Sequence, residues 1–329
     1  MNDLGQLSTV LIYAAMAAYA VAMVAFGIDL TRLRDGGPTD RPRKAVGVAM
    51  TTTTLGAALH LVGVVLRGVA AGRVPWANMY EFSIVFTLVA VLTFLGIQRW
   101  RDMRFLGAFV ITPTLLGLGL AVAVFYLDAD GVRPALDNYW LIIHVSVATL
   151  AVGILSVAAA ISVVQLIKER GEIAARAEAP AGADAVEGAA ASASLESAGT
   201  TTTTRVAAPV GGSGGGGFWR RFAATLPGSV ELERLAYRLN AIGFLLWTFT
   251  VVAGAIWAEH AWGRPWGWDP KEVWSFVIWV AYAAYLHARA TRGWDGRKAA
   301  YFCLAGFALI LGNYFIVNLL LDTEHGYAF

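Results

Sequence analysis

Eight stretches of predominantly apolar residues follow one another along the chain, and polar connections separate them. They lie near 7–30, 45–70, 79–98, 104–127, 139–167, 239–259, 272–290 and 299–321. A helix needs about 20 apolar residues to cross the hydrocarbon core of a bilayer. The pattern therefore predicts an all-α, polytopic membrane protein with about eight transmembrane helices.

The basic residues are concentrated in alternate connections between these stretches. Four connections carry clusters of Lys and Arg, namely 31–44, 99–104, 168–238 and 289–298. The intervening connections are poor in basic residues: one holds Asp128, Asp130 and Asp137, and another is rich in tryptophan. Since Lys and Arg accumulate on the cytoplasmic side of a membrane, both termini are predicted to be external.

Composition supports this assignment and excludes other classes of protein. Hydrophobic residues make up 57% of the 329 residues, charged residues only 15%, and the mean hydropathy is +0.59. A soluble domain has roughly 25% charged residues. The net charge of +2 is too small to attract the phosphates of a nucleic acid, so no such partner is expected. The single cysteine, Cys303, excludes an internal disulfide and a CxxC redox motif.

The chain divides into four parts along its length. Residues 1–167 hold the first five membrane helices, and residues 168–217, rich in Ala, Thr and Gly, are expected to form a flexible cytoplasmic linker. Residues 218–238 are predicted to be a cytoplasmic juxtamembrane segment, either amphipathic at the membrane surface or a solvated charge run. Residues 239–329 hold helices six to eight and an external tryptophan-rich loop, 257–274.

Tryptophan is concentrated around that external loop. Six of the twelve tryptophans lie close together, at Trp257, Trp262, Trp266, Trp268, Trp274 and Trp279. An interfacial aromatic belt is the simplest explanation, but a belt does not account for so many tryptophans at one membrane surface. A flat aromatic surface suits a flat apolar ligand with a polar edge, and Arg264 and Lys271 are expected to pair with that ligand's carboxylates. We therefore favour ligand binding over a belt.

The acidic residues near this surface have a simpler explanation than catalysis. Asp269, Pro270 and Glu272 have the order of a helix N-cap, a first helical position and a third position. Asn78 and Glu81 suggest a second such helix start, again on the external side. No acid is therefore predicted to act as a general base, and no catalytic residue is assigned.

The five histidines occur at different predicted depths. His144 lies about 7 Å into a helix that enters from outside, and His325 follows the last span, so both belong to the external face. Two neutral imidazoles beside an aromatic surface provide the axial ligands of a six-coordinate haem iron. His287 lies about 22 Å inward, and a ligand there would need a second histidine from another chain. His60, in the outer half, receives no role, and for His260, in the external loop, a solvent-exposed role and a ligand role are both open.

The residues of the loop resemble the tryptophan-rich motif of a known family. The motif comprises Trp262-Gly263, then Trp266-Gly267-Trp268-Asp269-Pro270-Lys271-Glu272, then Trp274. The chain thereby resembles the cytochrome c assembly family of haem-handling membrane proteins, in its CcsA/ResC branch. Pro265 stands where Tyr is frequent, Val273 stands where Thr is frequent, and the tail 324–328 departs from the usual His-Ser-Tyr-Gly. The resemblance covers most of the membrane part but not residues 168–217.

The resemblance implies a set of ligands for haem, with haem b as the cargo. His144 and His325 would ligate the iron of an external haem, and His287 that of a haem inside the membrane. The implied haem-binding residues of the loop are Trp262, Arg264, Trp266, Trp268, Asp269, Lys271 and Trp274.

The resemblance also implies partners and a function. A CcsB/ResB-type membrane protein would supply the ligand opposite His287, and apocytochrome c with a CxxCH motif would accept the haem. The chain would then deliver haem across the bacterial plasma membrane and present it outside, as a subunit of a system II cytochrome c synthase. Because the chain has one cysteine, a thioredoxin-like reductant is expected to keep the acceptor's thiols reduced.

Three other functions remain open at this stage. A haem-bearing electron-transfer protein acting on quinone usually has paired histidines on facing helices, which the predicted depths do not favour. A haem exporter without ligation activity differs little in sequence. A lipid or sugar transferase would need external carboxylates for catalysis, whereas Asp269 and Glu272 occupy capping positions.

Overall fold

A computed structural model describes residues 3–32, 44–128, 138–178 and 222–321. Within these ranges the chain is helical and contains no strand, which confirms the all-α prediction. The helices are α1 (Asp3–Arg32), α2 (Lys44–Ala71), α3 (Met79–Ile97), α4 (Gly107–Val124), α5 (Tyr139–Glu178), α6 (Ser229–Trp262), α7 (Pro270–Arg292) and α8 (Arg297–Gly312). Helix α8 continues through a π-helical turn (Asn313–Val317) into a last short helix (Asn318–Leu320).

Seven of the helices in the described ranges are long and apolar enough to cross a membrane, namely α1 to α6 and α8. Helix α7 forms where the seventh span, 272–290, was predicted and has 23 residues, but it does not reach the same hydropathy. Its Trp, Tyr and His side chains explain the difference, because such side chains combine an apolar body with a polar tip and favour membrane interfaces.

Successive connections lie at opposite ends of the bundle, because each helix runs in the opposite direction to the one before it. At one end, the Arg67 guanidinium donates to the Leu127 carbonyl, and Lys271 Nζ donates to Asn318. At the other end, Gln165 donates to the Gly296 carbonyl, and Lys168 donates to the Ala223 carbonyl. We call these the tryptophan end and the basic end. The connections that these four bonds join agree with the predicted alternation.

Helix packing leaves α5 at the centre of the bundle. Helix α1 packs along α2, α5 packs along α6, α3 contacts both α4 and α5, and α8 contacts α5 and α7. Glycines bring α5 and α6 together: a β-carbon at Gly243 would overlap the Leu155 side chain, and one at Gly254 would lie 2.8 Å from His144. Close approach through small residues is a common way for membrane helices to pack.

Helix α6 extends further than the sequence pattern suggested. It runs to Trp262, so the loop itself is confined to residues 263–269. His260, which was expected in the external loop, therefore lies in the last turn of α6, where its Nδ1 donates to the Ile256 carbonyl over 2.7 Å. Gly263 ends this helix in the left-handed conformation, with φ of 69°, which glycine adopts without a steric penalty.

Helix α5 also runs past the predicted end of its span, from 167 to Glu178. The additional turns are tied to the start of α6, because the Glu172 carboxylate accepts a hydrogen bond from the Ser229 hydroxyl over 2.6 Å. The part of the predicted linker from 179 to 217, the residues Phe218 to Arg221 and the tail with His325 lie outside the described residues.

Candidate functional site

A cavity of about 590 Å³ lies between α3, α4, α5, α6 and α8, with the start of α7 closing part of it. Its lining is mainly apolar and aromatic, with a few polar side chains gathered at the tryptophan end. Ligand pockets typically measure about 300–1,000 Å³ and combine an apolar wall with a few placed polar groups. The cavity therefore has the size and lining expected of a small-molecule site.

His144 lies in the wall of this cavity, one and a half turns into α5. Its Nδ1 lies 2.9 Å from the backbone carbonyl of Thr250 on α6, so Nδ1 carries the proton and donates it. The imidazole is also stacked on the indole of the buried Trp257, with 6.1 Å between ring centroids and 14° between planes. A hydrogen bond of this kind fixes the tautomer with its lone pair on Nε2, the arrangement usual for metal-binding histidines.

The loop 263–269 presents one tryptophan to the cavity and another to the outside. Trp266 lines the cavity together with Pro265, and its ring meets the Trp268 ring edge-on at 6.0 Å. Trp268 is 77% exposed and has a φ of 60°, the left-handed region that large side chains rarely adopt. Such strained conformations cluster at binding and catalytic sites.

Two other tryptophans of the motif support the cavity without lining it. Trp262 packs edge-on against Trp257, with ring centroids 4.8 Å apart, and so lies behind the His144 stack. Trp274 donates its indole N–H to the Leu309 carbonyl over 2.8 Å and thereby joins α7 to α8. Both tryptophans therefore lie behind the cavity wall and hold the lining residues in position.

The acids of the motif form the predicted capping box at the start of α7. The Asp269 carboxylate accepts from the Lys271 backbone N–H over 3.0 Å, and the Glu272 carboxylate accepts from Gly267 and Asp269 N–H groups over 2.7 and 3.2 Å. The capping prediction is confirmed for both residues. Their carboxylates hold the shape of the loop, and Glu272 also lines the cavity.

The two basic residues predicted to bind carboxylates have different positions. Lys271 lines the cavity, and its Nζ donates to the Asn318 side chain. Burial lowers the pKa of the Lys271 ammonium to about 7, although the nearby Asp269 carboxylate acts in the opposite direction. Arg264 is not part of the cavity lining, and its guanidinium lies over Gly267, where a β-carbon would overlap Nη1.

The segment at the start of α3, to which the sequence assigned no function, forms another wall. Residues 76–79 line the cavity, and the Asn78 side chain caps α3 as predicted. Glu81, which is fully buried, accepts from Arg67 Nε over 2.9 Å, from Arg73 Nη1 over 2.7 Å and from the Ala77 N–H over 2.9 Å. This ion cluster fixes the loop before α3 to the end of α2.

Sequence reasoning missed the contribution of α8. Asn313 and Tyr314 line the cavity from the π-helical turn, a feature often found at functional sites, and Asn318 lines it from the short helix that follows. The Asn318 amide donates to the Tyr314 carbonyl over 2.9 Å, and the Tyr314 hydroxyl pairs with Ser83 on α3. The sequence did contain a sign of this contribution, namely Asn313 and Asn318 within an apolar span. Polar residues inside membrane segments usually have functional roles.

His287, the other predicted ligand among the described residues, and His60, which received no role, do not line the cavity. His287 is exposed on the outer surface of α7, on the same face as Phe276 and Val280, and does not line the cavity. His60 is buried in α2, where its Nδ1 lies 3.4 Å from the Tyr19 hydroxyl. The structure thus brings His144, Trp266 and Lys271 together and keeps His287 apart. His325 lies outside the described residues.

Comparison with known proteins gives consistent matches. The family described as Cytochrome C assembly protein matches residues 76–325. A cytochrome c biogenesis protein CcsA from Prochlorococcus marinus is 32% identical over 319 residues, which cover 95% of this chain and 92% of that protein. A CcsA from Synechococcus elongatus is 36% identical over 275 residues, with 79% and 81% covered.

A solved structure shares the fold. The cytochrome c haem lyase CcmF matches 100% of this chain with a TM-score of 0.62 at 15% sequence identity, and this chain spans about half, 49%, of its length. At that identity the likeness concerns the fold alone. From the family match and the long alignments with the CcsA proteins, this chain belongs to the cytochrome c assembly protein family and is a multi-pass membrane protein of cytochrome c maturation.

Proposed function

We propose that this protein holds haem at the tryptophan end and presents it to apocytochrome c, as the haem-positioning subunit of a system II cytochrome c synthase. The observation that carries the proposal is the orientation of His144. Its Nδ1 proton is committed to the Thr250 carbonyl, and its ring forms part of an apolar cavity with Lys271 and Trp266 in the same lining. A flat, iron-containing ring with carboxylates fits that combination of groups.

The iron would be ligated by His144 and His325. His325 follows Leu320, the last residue of the final helix, by five residues, which extend over at most about 17 Å. Asn318, in that same short helix, already lines the cavity. The tail therefore starts next to a residue of the cavity wall, and His325 would supply the second imidazole from there. The aromatic side chains of the lining would exclude water from the ring.

The carboxylates of the haem would be bound by basic residues at the same end. Lys271 is already in the lining and needs only an acidic partner there to favour its charged form. Arg264 lies one residue before the lining residue Pro265, so its guanidinium would bind a haem carboxylate at the edge of the cavity. Trp268, which is exposed, and Trp266 would contact the ring or the approaching acceptor.

A second haem would bind at His287, inside the membrane. Because His287 is exposed on α7, its position suits a ligand shared with another protein, and a CcsB/ResB-type partner would supply the opposite histidine. Haem b would pass from this site to the external site across the bacterial plasma membrane. The separation of His287 from the cavity is consistent with two sites.

The thiols of the reaction would come from the acceptor. Cys303 is buried, its sulfur lies 3.2 Å from the Asn240 amide nitrogen, and it is not part of the cavity lining. Each thioether forms when a thiol S–H adds across a haem vinyl group, with one new C–S bond and one new C–H bond. No oxidant is consumed, but both thiols must be reduced, and a thioredoxin-like protein would keep them so.

Absorption spectra of the purified protein, co-expressed with its CcsB-type partner, test the proposal. Wild type should contain haem with a bis-histidine spectrum, His144→Ala and His325→Ala should perturb one component, and His287→Ala should perturb another. His260→Ala is the matched control, because this exposed histidine on α6 does not line the cavity. Haem-free preparations together with normal cytochrome c maturation in all three variants would contradict the proposal.

A further inference from the structure

We propose that the inner part of the cavity binds an acyl chain of a membrane lipid, which enters sideways between α4 and α5. The inner part is lined by three helices, through Thr87 and Ala90 of α3, Phe109, Val110, Pro113, Thr114, Leu116 and Gly117 of α4, and Ser156, Val157, Ala159, Ala160 and Val163 of α5. Nothing in the haem proposal uses these residues, so the inference stands independently of it.

The cavity extends along α5 well beyond His144, Trp266 and Lys271. Its lining follows α5 from Leu141 to Val163, a helical distance of about 33 Å at 1.5 Å per residue. The hydrocarbon core of a bilayer is about 30 Å thick. The cavity therefore runs along nearly the whole membrane depth, and its inner part lies within the hydrocarbon region.

The inner part of the cavity opens toward the surrounding lipid between α4 and α5. Pro113 and Leu116 line the cavity, yet both are exposed, and Leu116 is 70% exposed. They lie about 9 and 14 Å along α4 from its first residue, which is close to the middle of the bilayer. Helix α4 packs mainly on α3 and α1 and touches α5 only slightly. The gap between α4 and α5 thus faces lipid chains.

The chemistry of this part suits hydrocarbon. Among the described residues of its lining there is no charged side chain. The hydroxyls of Thr87 and Ser156 donate to carbonyls of their own helices, over 2.6 and 2.7 Å, respectively. Burying a haem carboxylate here would leave it without a hydrogen-bond donor or a cationic partner, which is unfavourable. An apolar cavity of this kind also stays free of water and takes up apolar ligands.

The surroundings of the opening point to an acyl chain as the occupant. The bilayer supplies acyl chains at the height of Leu116, and a single flexible chain suits a cavity of about 590 Å³ that follows one helix for most of the membrane depth.

Photo-crosslinking with a phospholipid that carries a diazirine in the middle of its acyl chain tests this inference. The full-length protein is reconstituted with this lipid, irradiated and mapped by peptide mass spectrometry. We expect adducts on the α5 wall, at Ser156, Ala160 and Val163, as well as on lipid-facing residues such as Leu92. Leu116→Trp should reduce the α5 adducts at least fivefold, because the indole narrows the opening.

A matched variant separates this effect from a general disturbance. Val124→Trp places the same side chain on an exposed position of α4 that does not line the cavity, and it should leave the α5 adducts unchanged. Ala160→Phe, which fills the inner part from the opposite wall, should also reduce the adducts at Ser156. Adducts confined to Leu92 and other outward-facing residues in the wild type would overturn the inference. No step involves haem, so a negative result leaves the proposed function untouched.

Discussion

The imidazole of His144 donates its Nδ1 proton to the backbone carbonyl of Thr250 over 2.9 Å, across the contact between α5 and α6. The approach is possible because Gly254, one turn further along α6, has no side chain where the ring lies. The orientation of the proposed iron ligand therefore depends on the packing of two helices, and changes at that contact should affect haem binding.

Gly254→Ala tests this dependence. The added β-carbon would lie 2.8 Å from His144 Cε1, so the ring must move, and such overpacking typically costs about 1–3 kcal/mol. We expect loss of most of the haem absorbance assigned to the external site and a lower melting temperature. Gly27→Ala in α1 is the control, since a β-carbon there meets nothing within 4 Å. Equal haem content in the two variants would refute the role of this contact.

Glu81 should be essential to stability rather than to chemistry. Its carboxylate is fully buried between Arg67 and Arg73, so Glu81→Leu leaves buried positive charge uncompensated, at a cost of about 3–5 kcal/mol. Thermal unfolding of the purified protein measures this loss. Asn78→Ala, which removes only a helix cap, should cost about 1 kcal/mol.

A double variant checks the electrostatic cause. Arg67→Met combined with Glu81→Leu should recover part of the stability lost in Glu81→Leu, because the buried guanidinium is then absent as well. Additive losses in the double variant would show that the two residues act independently.

Binding of a dicarboxylate porphyrin should weaken as the pH rises through neutrality. Burial lowers the pKa of Lys271 to about 7, so its ammonium is present below this value and is lost above it. If one porphyrin carboxylate pairs with the ammonium, the affinity should fall about tenfold between pH 6 and pH 8.5, which corresponds to about 1.4 kcal/mol. Fluorescence titration with a metal-free porphyrin measures the change.

Lys271→Arg provides the comparison, because a guanidinium stays charged over this pH range. Its affinity should vary little with pH, and the porphyrin dimethyl ester should bind the wild type without this pH dependence. The same pH slope in the arginine variant would assign the titration to another group. The pKa shift also has a consequence for folding: the unfolded chain binds this proton more tightly, so stability should rise between about pH 7 and pH 10.

Trp268 should be replaceable by glycine with less loss of stability than by alanine. Its side chain is 77% exposed, so little packing is lost in either variant, but its φ of 60° is strained for alanine and accessible to glycine. The difference should be about 1 kcal/mol in favour of Trp268→Gly, measured by thermal unfolding. If Trp268 contacts haem or the acceptor, both variants should lose cytochrome c maturation to the same extent.

The membrane helices and the capping residues were predictable because their signals are local. An apolar stretch of about 20 residues predicts a span wherever it occurs, and the order of Asp269, Pro270 and Glu272 predicts a helix start from neighbouring residues alone. The α7 helix formed as expected, although its aromatic composition places it below the hydropathy of the other spans.

Positions in the site were less predictable, because they depend on which helices meet. Trp262, Trp266 and Trp274 belong to one motif, yet only Trp266 lines the cavity, while the other two hold α5, α6, α7 and α8 in place behind it. Asn318, remote in sequence from Lys271, becomes its hydrogen-bond partner through the π-helical turn.

Hydropathy, charge and a local motif were enough to predict the membrane class, the alternation of the connections and the residue types available to bind haem. The folded arrangement was needed to show that His144 is oriented by Thr250, that Glu81 joins two arginines, and that the cavity continues to the opening beside Leu116. Each of these features requires side chains from different helices to meet, and helix packing depends on the shapes of whole helix surfaces, which no single stretch of sequence contains.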